Sequence, residues 1–265
     1  MTSAAGFLMA PRVVAEYSEI VHPSLAYLHH RPWPIPLRPW LGRQTWCDLL
    51  FAHWPVPVAS VRHLIPGSLE VDVFDRQTWI GIVPFRMDGV MVRGLPSLPW
   101  LSAFPELNVR LYVTRDGKPG VWFLSLDASN PLAVWGARRF FHLPYEHAAM
   151  TVDVSQAGVD YRSLRRSSPV AFEGSYRATD APDASTPGSL EHWLTERYCL
   201  YAQDPRGRIL RCDVHHRPWP LQRAEAVIRR NGMLKPHGIL LPDSKPLLHF
   251  AKRLDVIVWA PKRVG

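Results

Sequence analysis

Twenty-six prolines in 265 residues, placed so that nearly every connection holds one, constrain this chain more than any other feature. Proline lacks the N–H that helix interiors and central strands use, so a helical bundle is excluded and many short strands joined by proline-bearing turns are expected. A chain of this length buries roughly 70 to 75% of its unfolded surface, so its core needs no cross-links. Cys47, Cys199 and Cys212 are too few and too scattered for a disulfide framework or a zinc site and read as buried thiols. The first residues, "MTSAAGFLMAPRVVAEYSEIVHP", lack the unbroken apolar core of a signal peptide, and no apolar run reaches the ~18 residues of a membrane span. A cytoplasmic protein without membrane association is expected.

The formal charge of +8 favours anionic partners in general. It is dispersed, however. The densest groups, "RSLRR" (Arg162–Arg166) and the lysine-arginine pairs near the C-terminus, are short and carry no interleaved aromatic motif. They read as solvated faces, and no nucleic-acid partner is expected. A small anionic metabolite is the favoured partner, and a homo-oligomer is compatible with the sequence.

Residues 1–40 end in "HHRPWPIPLRPW" and are expected to form an extended N-terminal arm, with Trp33 and Trp40 packed on the body. His29 and His30, on a mobile arm, are poorly placed to hold a metal. Residues 41–265 are expected to form a single domain. Helices are expected over Pro57–Leu64, Pro131–Phe141 (capped by Asn130), Leu190–Arg197 and Gln222–Arg230. Strands are expected near Val71–Phe74, Trp79–Arg86, Met150–Val154, Val170–Tyr176 and Leu254–Trp259. The segment "YCLYAQDPRGRILRCDVHH" reads as a hairpin turning at Asp204, Pro205 and Gly207. The sum is an α+β fold built on an antiparallel, barrel-like sheet.

The clearest hairpin is "LNVRLYVTRDGKPGVWFLSLD". A two-residue turn at Asp116-Gly117 pairs Arg115 with Lys118 and sets the register. One face then holds Leu107, Val109, Leu111 and Val113, which is plain core. The other holds Glu106, Asn108, Arg110 and Tyr112 opposite Asp127, Ser125, Phe123 and Val121. Solvent faces usually carry Lys, Glu and Thr, so this alternation reads either as an unusual outer face or as the lining of a cavity. In the second reading Arg110 grips a carboxylate or phosphate, Asn108, Ser125 and Asp127 add directional contacts, and Glu106 opposite Asp127 shares a proton near neutrality.

His53 in "FAHWPVP" and His215 and His216 in "VHHRPWP" show no metal-ligand spacing and read as packed histidines. No metal and no cofactor are expected, since no GxSxG elbow, phosphate loop or dinucleotide fingerprint occurs. Glu196, Arg197 and Tyr198 in "TERYCLYA" form either an ion pair at a helix end or a site wall.

The segments "HWPVP", "LIPGSLEVDVFDRQTWIGIVPFRM", "FPELNVR", "GKPGVWFLSLDA", "ARRFFHLPY", "PGSLEHWLTERYCLYA" and "HHRPWPLQ" together resemble the uncharacterised YqjF-like family, which is grouped with the acetoacetate decarboxylase-like fold. The resemblance implies a cone-like antiparallel β-barrel with flanking helices and a ligand cavity. Acetoacetate decarboxylase itself works through a Schiff-base lysine with a depressed pKa, in a segment resembling Gly-Arg-Glu-x-x-Gly-Phe-Pro-Lys-Lys. Here "GARRFFHLPYEHA" lines up at Leu143-Pro144 and sets Tyr145 and Glu146 where the two lysines stand. A Schiff-base decarboxylase is therefore disfavoured. The resemblance leaves an anion pocket in which Glu106, His142, Tyr145 and Glu146 are candidate proton-handling groups. Three readings stand: an acid–base enzyme of lyase, hydrolase or isomerase type, a binding or sensor module that has lost its chemistry, or an interaction protein that docks through its tryptophan-rich arm.

Overall fold

The computed structural model describes residues 22–95 and 102–264; residues 1–21 of the expected arm lie outside these. Among the described residues, fourteen strands form one sheet. They are β1 (Gly42–Val56), β2 (Glu70–Val71), β3 (Thr78–Val92), β4 (Phe104–Arg115), β5 (Lys118–Ala128), β6 (Tyr145–Ser155), β7 (Gly158–Arg165), β8 (Ala171–Ala178), β9 (Asp183–Ala184), β10 (Cys199–Gln203), β11 (Ile209–His216), β12 (Pro220–Asn231), β13 (Leu247–Val258) and β14 (Lys262–Arg263). From β5 the pairing runs through β6, β7, β8, β12, β13, β1, β3 and β4 and returns to β5, so the ladder closes on itself. No helix among the described residues is long and apolar enough to cross a membrane.

The sheet departs from the sequence expectation in four ways. It is mixed, because β5 pairs in parallel with both β10 and β6. The expected helix Gln222–Arg230 is strand β12, with Arg223, Glu225, Val227 and Arg229 exposed and the residues between them half-buried. Its Ala, Glu and Arg content favours helix locally, but pairing with β8 and β13 overrides that preference. Only Glu70–Val71 of the region around the expected strand Val71–Phe74 forms a ladder, and Phe74 makes an isolated bridge to Gln77. Finally, β1 and β3 are 15 residues long rather than short. Pro55 of β1 lies beyond the β1–β13 ladder, which ends at His53, and the β1–β3 ladder breaks between Cys47 and Ala52. Asp48 takes a left-handed φ of 54° there, and Pro84 falls within the interrupted stretch, where a missing N–H costs little.

Other elements form as their residues dictate. Asn130 caps the helix Pro131–Gly136 by accepting hydrogen bonds from Leu132 N and Ala133 N, and the chain continues as a π turn over Ala137–Phe141. Ser189 caps the helix Leu190–Thr195. Asp204 accepts from Arg206 N and Arg208 N, which sets the β10–β11 turn. The described part of the arm, residues 22–40, lies on its own body. Arg31 Nη1 donates to Val214 O at 2.7 Å, Trp33 packs edge-on to Tyr198, and Trp40 is buried with Ile257 and Trp259. All three cysteines are buried and unpaired.

Candidate functional site

The site is built on the β4–β5 hairpin. Asp116 (φ 51°) and Gly117 (φ 68°) form the expected two-residue turn with positive φ at both positions, and Arg115 pairs with Lys118. The register holds as far as Arg110 opposite Phe123, and then slips. Val109 stands opposite Ser125, leaving Leu124 as the extra residue of a bulge, so Leu107 meets Asp127 and Glu106 meets Ala128. A slip of one residue exchanges the faces of everything beyond it. Glu106 and Asp127 are therefore not opposite one another, and Ser125 and Asp127 turn away from Asn108 and Arg110 to the face of Leu107 and Val109.

Both faces are buried. Leu107, Val109, Leu111 and Val113 belong to a cluster that includes Leu124, Tyr161 and Phe172. On that side Asp127 accepts from Arg165 Nε at 2.9 Å and from Ser163 Oγ at 3.2 Å, while Arg165 Nη2 donates to Ser125 Oγ at 2.7 Å. This group is closed on itself. Burial outweighs the arginine and lifts the Asp127 carboxyl to about 6.

The Glu106 face adjoins a different cluster, which includes Phe51, Leu126, Leu143, Tyr145 and Trp219. Tyr145 Oη donates to Glu106 Oε2 at 2.7 Å. Burial first, and Asp127 to a lesser degree, raise Glu106 to about 8, so it holds a proton at neutral pH. Burial and the neighbouring Glu106 push the Tyr145 phenol well above its ordinary range. Arg110 Nε donates to Tyr112 Oη at 3.1 Å and its Nη2 to Leu194 O at 3.1 Å. The guanidinium lies over Phe51, 5.2 Å from the ring centroid, and Phe51 meets Trp219 edge to face. Tyr112 Oη shares a 2.7 Å hydrogen bond with His53 Nε2. Burial, then Arg110, depress the His53 pKa and keep the ring neutral. Gly81 makes room here, since a Cβ on it would stand 3.0 Å from the His53 ring and 3.3 Å from Arg110 Cγ.

Arg110 is buried with no carboxylate partner among the described residues, whereas the buried Arg165, Arg197 and Arg211 all have one. Arg31, the other buried arginine without a carboxylate, is held instead by two backbone carbonyls and His215. Buried charges are normally paired. Asn108 Oδ1, His53 Nδ1 and Trp219 Nε1 are also buried with no hydrogen-bond partner among the described residues, as are atoms elsewhere such as Trp40 Nε1, Thr78 Oγ1 and His249 Nδ1. The arrangement offers a cation and ring nitrogens beside the Glu106 carboxyl, with the Asn108 amide oxygen as an acceptor, a set suited to a small carboxylate that also carries a hydroxyl donor.

The structure thus brings together Glu106, Asn108, Arg110 and Tyr145, and separates the other predicted site residues. Ser125 and Asp127 lie on the opposite face. Glu146 is half-buried, paired with Arg138 and within reach of Ser167, because neighbours along a strand point to opposite sides. His142, at φ 54°, ends the π turn and lines a surface pocket. Of the two readings of Glu196, Arg197 and Tyr198, the ion pair is found for Arg197, with Asp72 as its partner, while Glu196 accepts from Tyr198 Oη and Trp219 N. Arg165 was hidden in "RSLRR", where Arg162 and Arg166 are exposed as expected but Arg165 is buried. The alternation of Val159, Tyr161, Ser163 and Arg165 along β7, all buried, was the available signal. His53, Tyr112, Phe51 and Trp219 complete the site and carry no linear motif.

Comparison with solved structures places the fold in a known class. The enduracididine biosynthesis enzyme MppR, in a complex with pyruvate, is similar with a TM-score of 0.61 and 13% identity over 89% of this chain and 93% of that one. Acetoacetate decarboxylase from Legionella pneumophila subsp. pneumophila str. Philadelphia 1 is similar with a TM-score of 0.59 and 11% identity over 92% and 96%. The fold is acetoacetate decarboxylase-like, mostly sheet with few helices. The chain itself belongs to the DUF2071 family, described as an uncharacterized conserved protein, which it matches over residues 43–255. The uncharacterized protein YqjF of Bacillus subtilis (strain 168) is 50% identical over 221 residues, 83% of this chain and 91% of that protein.

Proposed function

We propose that the chain binds a small organic anion on the Glu106 face, with Arg110 as the anion grip, Asn108 as a directional contact, and Glu106 and Tyr145 as an acid–base pair. The returning ladder is read as the cone-like β-barrel of the fold group, with residues 41–265 as one domain and residues 1–40 as its arm. The observation that carries the reading is a buried guanidinium with no carboxylate partner among the described residues, set on one strand face with the partnerless Asn108 Oδ1 and the buried Glu106–Tyr145 hydrogen bond. The substrate class it favours is a 2-keto or 2-hydroxy acid, and the pyruvate in the MppR complex accords with that choice. The chemistry is that of a lyase, hydrolase or isomerase acting next to a carboxylate or enolisable carbonyl. Glu106 delivers or receives the proton, and Tyr145 orients it. A Schiff base is disfavoured, because Tyr145 and Glu146 stand at the two lysine positions and no lysine is buried among the described residues.

A thermal-shift titration with pyruvate, lactate and a phosphorylated acid tests the anion grip. A ligand at about 100 times its dissociation constant adds about 2.7 kcal/mol, a rise of several degrees. Wild type should shift and Arg110→Met should not, and equal responses of the two proteins would remove Arg110 from the site. The replaced lysines also favour a second reading, in which the fold has kept binding and lost turnover. Recovery of the stabilising ligand unchanged after prolonged incubation would select it.

A further inference from the structure

Proximity of polar groups on the Glu106 face does not explain how a ligand arrives there, since both faces of β4 are covered. The outer edge of β5 supplies a route. It is paired with β10 only at Val121 and Trp122 and with β6 only from Leu126 to Ala128, so neither strand covers residues 123–125. The β4 side of the same stretch carries the Leu124 bulge. A pocket of about 330 Å³ sits on this seam, at the lower end of the roughly 300–1,000 Å³ range of small-molecule sites.

The lining of this surface pocket draws on residues of both faces of the wall. Trp122, Leu124 and Tyr201 belong to or pack against the Leu107-side cluster, whereas Phe123, Leu143 and Ala202 do so for the Glu106-side cluster. A hollow on one surface of an intact sheet would meet residues of one face only, because successive side chains alternate. Phe123 is the cross-strand partner of Arg110, and Leu143 is two residues from Tyr145 along the chain, so by register and by chain the apolar lining adjoins both ends of the polar row. Asn108 and Arg110 keep 6% and 8% of their surface accessible, whereas Leu107, Val109 and Leu111 on the reverse face keep 0%. Glu106 and Tyr112, in the same row as Asn108 and Arg110, keep 2% and 0%.

We propose that this seam is the port by which a small organic acid reaches the Glu106 face, with Phe123 and Leu143 as its gate. The proposal rests on the reading of that face as the ligand site. The pocket lining is mainly apolar, which suits brief passage, and its polar members, His142, Gln203 and His237, are at least partly exposed.

Leu126→Cys places a thiol on the Glu106 face, since Leu126 is the cross-strand partner of Asn108. Its modification by methyl methanethiosulfonate and by the anionic sulfonatoethyl reagent is followed by peptide mass. Cys212, fully enclosed and in contact with Trp259 O at 3.0 Å, serves as the reporter of global opening. Combined with Leu126→Cys, Phe123→Ala should speed modification of the introduced thiol by about tenfold and Leu143→Trp should slow it by a similar factor, with Cys212 unchanged. Rates at the introduced thiol that ignore both gate substitutions, or that follow Cys212 in every variant, would overturn the port. The two readings fail separately: gated thiol rates without a pyruvate shift would keep the port and remove the anion site, and a pyruvate shift with ungated rates would do the reverse.

Discussion

The two faces of the β4–β5 hairpin carry similar chemistry in opposite states. On the Leu107 side, Arg165, Asp127, Ser163 and Ser125 satisfy one another. On the Glu106 side, Arg110 has no counter-charge among the described residues and Asn108 Oδ1 has no partner there. A closed polar group holds strands together, and the open one keeps hydrogen-bonding capacity that no described residue uses. One bulge at Leu124 makes the difference, by sending Asp127 to the far side from Arg110.

The comparison is broken or sharpened first at Arg165. Arg165→Met leaves Asp127 buried without its counter-charge, and removal of one partner of such a pair costs about 3–5 kcal/mol. Urea denaturation at pH 7.5 should show that loss; one below about 1 kcal/mol would mean that the Leu107 side is not held by its ion pair.

The next effect is the pH dependence set by Glu106. Its folded pKa of about 8 lies above the ordinary 4.5, so the native state keeps a proton that the unfolded chain releases. The stability this contributes is complete below about 4.5 and is lost as pH rises through about 8. Glu106→Gln, which can still accept the Tyr145 hydrogen bond, should lack this loss. Between those limits the slopes of stability against pH for wild type and variant should differ by about 1.4 kcal/mol per unit. Parallel curves would show that Glu106 is ionised in the folded protein.

The smallest effect is expected at Arg110 itself. Arg110→Met without ligand strands no charge but leaves Leu194 O without its donor, so it should cost about 1–3 kcal/mol, less than Arg165→Met. A loss as large as that of Arg165→Met would give the two arginines the same structural role and erase the contrast.

Much of the hairpin was legible in the sequence. Asp116-Gly117 specifies its own turn, and the register counted from it holds for the residues nearest the turn. The row Glu106, Asn108, Arg110 and Tyr112 was correctly placed on one face, because alternation along a single strand survives any change in its partner. The opposite strand was misread beyond Phe123, because a bulge is accommodated by packing on both sides and leaves no mark in the residues concerned. Gln222–Arg230 failed for a related reason: its helix-forming composition is a weak preference, outweighed by two neighbouring strands.

What the sequence determined alone is whatever depends on neighbours in the chain: the turn at Asp116-Gly117, the caps at Asn130 and Ser189, the strand alternation, and the absence of lysine at the Tyr145 and Glu146 positions. Tertiary structure decided which polar groups meet. Tyr145 reaches Glu106, His53 reaches Tyr112, and Arg165 rather than Arg110 neutralises Asp127. These pairs join strands far apart in sequence, so their partners are set by the closing ladder and by burial, which makes an unpaired charge costly.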